Sequence, residues 1–413
     1  MKIRLTTCAL ALTLTSILAP QSLIAQGSLT PPGTPAPTMK SLDQIESRTP
    51  ISSTTTISQS GSYYLTGNIA VSSGTAITIA ADNVTLDLNG FTISSTEAVP
   101  AGSGILLSSG RKHVHIFNGH IKGNVTWSGS VFSGGGFLRG IFYTGTLPNN
   151  VRVSGVSVSG CQSHGIFLSY DTNATVVQSC TVQTVGGTGI SASTVVQSVA
   201  LTCGGDGIFA REASDCRGDA VTSGSGISAT TANNCLGRSN TGGGLNASHA
   251  QNCVGSSQTN IGLSAMDALN CSGSNGGAAA AVSATIAQNC QGYSSSSGTG
   301  VSAQTAQNCY GESTSGTGLN ASRVATNCQG YSVSGAGISV LMAQNCYAET
   351  GGNGQAMNAR TATNCYAKGP GNVTVLFSYV AIGCYVEGPG NIGGSIAVSC
   401  SGNVISPARY NMP

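Results

Sequence analysis

The sequence is poor in charged residues and aromatic rings. Of its 413 residues, 7% are charged and 5% are aromatic, and the formal net charge is +2. So small a positive excess offers no basic surface for nucleic acid and no strong field for steering charged partners. Beyond the first 25 residues, no apolar run approaches the roughly 20 residues that a membrane-spanning helix needs. We therefore expect neither a nucleic-acid-binding protein nor a membrane-spanning one.

The N-terminus has the pattern of a secretory signal. Lys2 and Arg4 precede an apolar run over residues 5–18, and small residues from Ser22 to Ala25 offer a cleavage site. This pattern predicts a signal peptide over residues 1–25. Residues 26–47 are rich in proline and small side chains and are predicted to form a linker. We expect a protein that is secreted into the extracellular space or the periplasm.

A short internal period dominates the rest of the chain. From Cys216 to Cys384, consecutive cysteines are 18 or 19 residues apart, and a "G-[ILV]-x-A" motif repeats at the same spacing. The unit is too short for ankyrin or tetratricopeptide repeats, and its glycine and β-branched residues disfavour helix. One turn of a β-solenoid, with two or three short strands, fits the length.

Alternation within the repeat predicts which side chains face the interior. Val301 and Ala303 should point inward and Ser302 outward, because successive side chains of a strand point to opposite faces. By the same rule Cys309 faces inward and Tyr310 outward. The asparagine before each cysteine tolerates turn conformations and can hydrogen-bond along the stack, which predicts an asparagine ladder at a corner. Its members are Asn234, Asn252, Asn270, Asn289, Asn308, Asn327, Asn345 and Asn364.

The segments "GSYYLTGNI", "ITIAADNVTLDLNGFTI", "VHIFNGHIKG" and "NVRVSGVSVSGCQSHGIFLS" resemble the opening coils of pectate lyase-like proteins. The resemblance covers roughly residues 50–400 and implies an all-β, single-stranded, right-handed parallel β-helix; an internal asparagine ladder is a feature of that class. A left-handed helix would need an aliphatic residue at every sixth position, which is absent. We expect about fifteen coils, roughly 65–75 Å long at about 4.8 Å per coil. The predicted divisions are an N-terminal cap with first coils (48–100), the β-helix (101–400) and a tail (401–413).

The regularly spaced cysteines allow three interpretations. Equivalent residues of neighbouring coils stack about 4.8 Å apart, whereas a disulfide prefers Cβ atoms about 3.8 Å apart with a defined twist. A reduced, buried ladder of small apolar side chains is the favoured interpretation, and strained disulfides between neighbouring coils are the alternative. Zinc needs ligands that converge from several directions, so we predict no metal site and no cofactor.

The resemblance also implies where catalysis would occur. Related lyases hold calcium with acidic residues and use an Arg or Lys base, and related hydrolases pair aspartates of adjacent coils. The candidates here are Asp206, His115 and His120. However, Ser225 takes the equivalent position one coil after Asp206, "GHI" lacks the second glycine of the hydrolases' Gly-His-Gly, and "HIK" lacks the arginine of their Arg-Ile-Lys.

Two further groups of polar residues are open to interpretation. Alternation places His113 and His115 on one face, and Asp87 on the preceding coil could complete a metal or anion site. Asp219 falls 19 residues before Arg238, and Glu349, Lys368 and Glu387 repeat that spacing. Such exposed pairs contribute little individually, so we interpret them as solvated charges that fix the register.

Tyr310, Tyr347, Tyr366 and Tyr385 each follow a cysteine and should form an interrupted outward stripe, with Tyr293 and Tyr331 on the same face. Aromatic rows on solenoids can bind sugar rings, but they can also merely stabilise a sheet. We expect a secreted, non-catalytic and monomeric scaffold that contacts polysaccharide or a cell surface. A polysaccharide lyase or glycoside hydrolase with an atypical external site is the alternative.

Overall fold

The computed structural model describes residues 47–169, 174–370, 374–404 and 409–410. The predicted signal peptide and all of the predicted linker except Ser47 lie outside these residues. Within the described ranges every regular element is a β-strand. None of the described segments forms a helix long and apolar enough to cross a membrane.

The strands of the first turns differ in length and spacing. They are β1 Thr49–Ile51, β2 Thr55–Ile57, β3 Gly61–Leu65, β4 Ile69–Val71, β5 Ile77–Ile79, β6 Val84–Asp87, β7 Thr92–Ser95, β8 Ala101–Leu107, β9 Lys112–Lys122, β10 Thr126–Trp127, β11 Phe132–Ser133, β12 Phe137–Tyr143, β13 Asn149–Cys161, β14 Ile166–Phe167, β15 Val176–Gln178 and β16 Thr181–Val185.

Longer and shorter strands then alternate regularly. They are β17 Ile190–Val196, β18 Val199–Cys203, β19 Ile208–Ser214, β20 Arg217–Ala220, β21 Ile227–Asn233, β22 Leu236–Ser239, β23 Leu245–Gln251, β24 Val254–Ser257, β25 Leu263–Leu269, β26 Ser272–Asn275, β27 Val282–Gln288, β28 Gln291–Ser294, β29 Val301–Gln307, β30 Tyr310–Ser313, β31 Leu319–Thr326, β32 Gln329–Ser332, β33 Ile338–Gln344, β34 Tyr347–Thr350, β35 Met357–Thr363, β36 Tyr366–Lys368, β37 Thr374–Ile382 and β38 Tyr385–Glu387. The last strands are β39 Asn391–Gly393, β40 Ile396–Val398, β41 Asn403–Val404 and β42 Arg409–Tyr410.

Forty strands form one parallel sheet that winds into a solenoid, and β10 and β11 form a separate antiparallel hairpin. In the regular part each strand pairs with the equivalent strand one turn later, so that Val301 lies opposite Leu319 and Tyr310 opposite Gln329. About 19 residues separate equivalent positions. The predicted all-β parallel β-helix is confirmed.

The solenoid has about 18 turns rather than the predicted fifteen. The additional turns lie at the N-terminal end, where Thr49 pairs with Tyr63, Tyr63 with Leu86, Leu86 with Ile116 and Ile116 with Val153. These steps range from 14 to 37 residues because loops of different length project from the turns. The cysteine period is absent there, so the sequence period could not count them.

Burial along one turn shows three faces. In β29, Ala303 and Ala306 are buried while Gln304 and Thr305 both point outward, so the strand bends between them. Asn308 has a left-handed backbone, with φ of 54°, and marks a second corner before β30. The segment that returns to β31 provides the third corner. We call the outward side of the short strands the tyrosine face, because it carries the residues one and three positions after each cysteine.

The interior is narrow and consists of stacked small and aliphatic side chains. Val301 and Ala306 are fully buried and Cys309 is 2% exposed. Burial of one aliphatic side chain contributes about 1.5–3 kcal/mol, and each turn repeats this contribution. A Cβ added to Gly311 would lie 2.1 Å from the carbonyl oxygen of Gly318, so the short strand packs directly on the returning segment.

The asparagine ladder is present. Its eight members have φ between 51° and 54°, a region that asparagine tolerates better than most residues. Side-chain amides donate to the asparagine one turn earlier, for example Asn308 Nδ2 to Asn289 Oδ1 at 3.2 Å. The ladder is exposed to solvent, whereas the family resemblance implied an internal one. The left-handed corner turns the side chain outward while the following cysteine turns inward.

A second ladder of buried hydroxyls was not predicted. Ser313 is fully buried, and its hydroxyl donates to the carbonyl oxygen of Gly298 at 2.7 Å and accepts from the amide of Gly316 at 2.8 Å. Ser239, Ser257 and Ser332 also donate to glycine carbonyls of a neighbouring turn. The sequence signal was a small polar residue four positions after most of the cysteines. These hydroxyls satisfy backbone groups that the tight returning segments would otherwise bury without partners.

Candidate functional site

The last turns of the tyrosine face carry a row of three aromatic rings. Tyr347 lies opposite Tyr366, and Tyr366 lies opposite Tyr385, because strands β34, β36 and β38 pair in register. Both pairs of ring centroids are 5.2 Å apart, with interplanar angles of 18° and 33°. We call these three residues the tyrosine row. The parallel sheet sets its spacing, and the outward direction follows from the inward cysteine before each tyrosine.

The fourth tyrosine of the predicted stripe lies apart from this row. Tyr310 is 37% exposed, and the equivalent positions before and after it are Gln291 and Gln329. Its hydroxyl donates to Glu312 Oε2 at 2.8 Å. Burial, followed by the Glu312 carboxylate, raises the pKa of Tyr310 to about 12. The structure therefore brings three of the four tyrosines together.

A row of charged side chains runs beside the tyrosine row, two residues further along each strand. Glu349 lies opposite Lys368, with Nζ and Oε1 3.5 Å apart, and Lys368 lies opposite Glu387. The Tyr347 hydroxyl donates to Glu349 Oε2 at 2.6 Å. Burial and this carboxylate raise the pKa of Tyr347 to about 12, so its hydroxyl keeps its proton. Two carboxylates and one ammonium leave this row with a formal charge of −1.

A cleft of about 290 Å³ opens at the end of the charged row. Its lining includes Glu349, Lys368 and Glu387, together with the turns at residues 369–370 and 388–389. Both turns begin with Gly-Pro, in the sequences "KGPGN" and "EGPGN", which are 19 residues apart. This repeat is the sequence signal that could have located the cleft.

Stacking limits which ring surfaces a ligand can reach. Within the row each ring covers part of its neighbour, so Tyr366 presents mainly its edge and hydroxyl. Tyr385 is 45% exposed, and the residue at the equivalent position of the next turn is Ser401, whose side chain is too small to cover an aromatic ring. The row therefore combines exposed ring edges with one accessible ring face at its C-terminal end.

The three candidate catalytic residues do not form one site. His115 and His120 lie on β9, which pairs with β13, and β13 with β16 and β16 with β18. Asp206 follows β18, so three turns separate it from the histidines. The Asp206 carboxylate accepts a hydrogen bond from the Ser225 amide at 2.6 Å, in agreement with the expected register. Burial raises the pKa of Asp206, and no catalytic partner is needed to explain this shift.

His115 has a partner that sequence reasoning missed. Its Nε2 lies 2.8 Å from the Ser154 hydroxyl on the next turn, and its ring stacks on Phe117 with centroids 4.8 Å apart. Burial, followed by the positive charge of Arg152, lowers the pKa of His115. Arg152 lies directly opposite the histidine in the sheet.

His113 and His115 line one cleft together with Asn150 and Arg152, but Asp87 does not contribute to it. His113 has a left-handed backbone and contacts the side chain of Asn150 at 2.7 Å. Asp87 lies opposite Phe117 and is 8% exposed. Its carboxylate accepts from Arg48 at 2.9 Å and from the Asn118 side chain at 3.2 Å. The carboxylate is thus already engaged in holding the first turns together.

The charged pair between Asp219 and Arg238 is in the predicted register. The closest contact of Asp219, however, is with Arg217 on its own strand, at 2.6 Å. These side chains are partly exposed, and a pair of this kind contributes about 1 kcal/mol or less.

All fourteen cysteines from Cys161 to Cys400 are free and buried. Burial raises the pKa of Cys161 to about 12 and that of Cys180 to about 11. These two thiols therefore remain protonated at neutral pH. Across the described residues, no group of three or more His, Cys, Asp or Glu side chains is arranged to hold a metal ion.

Neither a family model nor a curated protein matches this chain. Among solved structures, the A-module of the mannuronan C-5 epimerase AlgE6 of Azotobacter vinelandii matches with 11% identity and a TM-score of 0.23, covering 85% of this chain and 89% of the epimerase module. The Dettilon tailspike protein matches with 12% identity and a TM-score of 0.23, covering 84% of this chain and 62% of the tailspike.

Proposed function

We propose that this protein is a secreted, non-catalytic β-helix scaffold that binds a polysaccharide chain lengthwise along the tyrosine row. The observation that carries the proposal is the regular repetition of one tyrosine and one charged residue per turn over Tyr347, Tyr366 and Tyr385. Turns of the solenoid are about 4.8 Å apart, close to the length of one sugar unit in an extended polysaccharide. Successive sugars would therefore meet equivalent groups.

The ring surfaces suit a sugar. The exposed face of Tyr385 can pack against the C–H face of one sugar ring, and the hydroxyls and ring edges of Tyr347 and Tyr366 can contact the sugars that follow. The carboxylates of Glu349 and Glu387 can accept hydrogen bonds from sugar hydroxyls, and the cleft at the Gly-Pro turns gives the chain room to pass. Because the surface repeats, affinity would increase with chain length.

The charges favour one class of polysaccharide over another. A polyuronate would bring a carboxylate close to Glu349 and Glu387, with Lys368 as the only compensating charge in the row. A neutral polymer avoids that repulsion, and an amine-bearing polymer would gain from it. We therefore infer that the ligand is a neutral or amine-bearing polysaccharide.

Binding to immobilised xylan, chitosan and polygalacturonate tests this proposal. We expect retention on the first two and not on the third. Tyr385→Ala should weaken binding about five- to tenfold, since an aromatic contact contributes about 1–1.5 kcal/mol. Tyr293→Ala is the matched control, because Tyr293 is 49% exposed on the same face but its equivalent positions are Ser274 and Glu312.

Equal retention of Tyr385→Ala and Tyr293→Ala would contradict the site, and preferential retention on polygalacturonate would contradict the ligand class. The enzymatic alternative lacks a matching arrangement, because Asp206 lies three turns from His115 and His120. Depolymerisation of any of these glycans that is lost in Asp206→Asn or His120→Gln would overturn the non-catalytic assignment.

A further inference from the structure

The cysteines of the regular turns form one continuous row of thiols. Each of these cysteines precedes a strand residue that pairs with its equivalent one turn later: Tyr310, after Cys309, lies opposite Gln291, after Cys290, and opposite Gln329, after Cys328. The same register relates every neighbouring pair in the row, which runs through Cys216, Cys235, Cys253, Cys271, Cys290, Cys309, Cys328, Cys346, Cys365, Cys384 and Cys400. We call these eleven residues the thiol row.

The backbone fixes the direction of each thiol. Cys309 Sγ contacts the carbonyl oxygen of Gln307 at 3.3 Å and that of Ala287, on the previous turn, at 3.4 Å. Cys290 makes the same two contacts, with Gln288 and Ala268, at 3.2 and 3.4 Å. The sulfurs therefore project into the interior from equivalent positions, and the line joining them follows the solenoid axis.

A line of sulfurs cannot surround a tetrahedral ion, but it suits an ion with two ligands in opposite directions. A metal–thiolate bond is about 2.3 Å long for zinc, so two such bonds end to end span about 4.6 Å. That span is within a few tenths of an ångström of the turn spacing of about 4.8 Å. Thiolates are soft ligands that select soft metal ions such as Cu(I).

We propose that the thiol row binds soft, linearly coordinated metal ions, each held between two adjacent cysteines, with each cysteine binding one ion. Mercuric ion with two thiolates is neutral, so the complex suits an apolar interior, and two thiol protons are released to solvent. A monovalent ion such as Ag(I) is neutral with one thiolate and one thiol, and releases one proton. Neither reaction needs an oxidant, because each thiolate forms by loss of a proton and neither the sulfur nor the metal changes its oxidation state.

The remaining buried cysteines provide an internal control. Cys180 occupies the position of the thiol row, but the next turn has Ser198 there, whose hydroxyl accepts from the Cys180 amide at 3.2 Å. Cys203 lies opposite Val185 and Ala220. These thiols have no cysteine at the equivalent position of a neighbouring turn. Ser198 also shows that serine is accommodated at this position, so Cys→Ser variants of the row should fold.

The number of bound ions tests the pairing directly. If each sulfur binds one ion and each ion binds two neighbouring sulfurs, eleven cysteines hold at most five mercuric ions. Cys309→Ser divides the row into five and five, which leaves four pairs. Cys290→Ser divides the row into four and six cysteines, which leaves five pairs. Cys180→Ser should also leave five, because Cys180 is outside the row.

The experiment is a titration of the reduced, folded protein with Hg(II), followed by sulfur-to-mercury charge-transfer absorption, with Zn(II) as the control ion. We expect five ions for the unchanged protein, for Cys290→Ser and for Cys180→Ser, and four for Cys309→Ser. Binding to the folded ladder should also raise the melting temperature, because a ligand that prefers the native state stabilises it. Zn(II) should have little effect.

Equal losses in Cys290→Ser and Cys309→Ser would overturn the proposal, because they would show that thiols react independently of their neighbours. A melting temperature that falls as Hg(II) is added would also overturn it, since the ions would then bind thiols that only unfolding exposes. Stabilisation by Zn(II) equal to that by Hg(II) would contradict linear coordination.

Discussion

Replacement of Asn308 separates two contributions of the asparagine ladder to stability: the side-chain hydrogen bonds along the stack and the tolerance of asparagine for a left-handed backbone. Asn308 has φ of 54°, its Nδ2 donates to Asn289 Oδ1 at 3.2 Å, and its Oδ1 accepts from Asn327 at 3.3 Å. Alanine would lose both hydrogen bonds and would also occupy a backbone region that costs a residue with a Cβ about 1–2 kcal/mol. Glycine would lose the same hydrogen bonds without that backbone cost.

The expected magnitudes follow from these contributions. Both side-chain hydrogen bonds are exposed and contribute about 0.5 kcal/mol each, at the low end of the usual range. We therefore expect Asn308→Gly to reduce the free energy of unfolding by about 1 kcal/mol and Asn308→Ala to reduce it by about 2–3 kcal/mol. Gly383 supports the glycine estimate, because it has a left-handed backbone, with φ of 59°, one turn after Asn364 of the ladder.

Hydrogen exchange is the suitable assay, since a solenoid need not unfold in one cooperative step. The amide of Asn308 donates to the Thr326 carbonyl oxygen, and Asn327 donates likewise to Gln344, so their protection reports the corner itself. If Asn308→Ala and Asn308→Gly lose equal protection, backbone strain does not explain the asparagine at this corner. If neither loses any, the ladder contributes nothing to stability.

Two further predictions concern the first turns. Asp87→Ala should destabilise them by about 2–3 kcal/mol, because it removes the acceptor of the Arg48 and Asn118 side chains from a largely buried position. Asp82→Ala is the control: it removes a partly exposed pair with Arg111 and should cost about 1 kcal/mol or less. Equal losses of amide protection in the two variants would contradict this prediction. The pKa of His115 is lowered in the folded state, so the contribution of this histidine to stability is complete above the unfolded pKa of about 6.5 and is lost as pH falls below it. His115→Gln should therefore flatten the fall in melting temperature between pH 7 and 5, and an unchanged slope would refute the lowered pKa of His115.

The repeat made most of the regular fold predictable. Because Cys309, Asn308 and Tyr310 recur with one period, their inward, corner and outward positions could be predicted from strand alternation alone. Whether the asparagine side chains point into solvent or into the interior could not be predicted, since the left-handed φ of Asn308 depends on how two strands meet at the corner. The turns before residue 150 could not be counted, because their loops vary in length and leave no common period.

The candidate site was predictable only in part. Alternation placed Tyr347, Tyr366 and Tyr385 on one face, but their ring stacking depends on side-chain rotamers that no sequence period encodes. The contact between His115 and Ser154 joins residues 39 positions apart, across turns of irregular length. The same irregularity explains why Asp87 was wrongly grouped with His113 and His115.

The central claim is that a reduced cysteine core lies beneath an exposed tyrosine row. Its most direct test uses Cys365 and Tyr366, because these neighbouring residues face the interior and the solvent, respectively. Cys365 is 2% exposed, and the tyrosine after it points outward. In the folded protein without residues 1–25, a bulky thiol reagent such as a maleimide should label none of the fourteen buried cysteines, and Tyr366→Cys should add a single labelled site. After denaturation without reductant, all fourteen cysteines of the unchanged protein should react. Rapid native labelling of the cysteine row, no labelling of Tyr366→Cys, or missing thiols after denaturation would contradict a reduced cysteine core beneath an exposed tyrosine row.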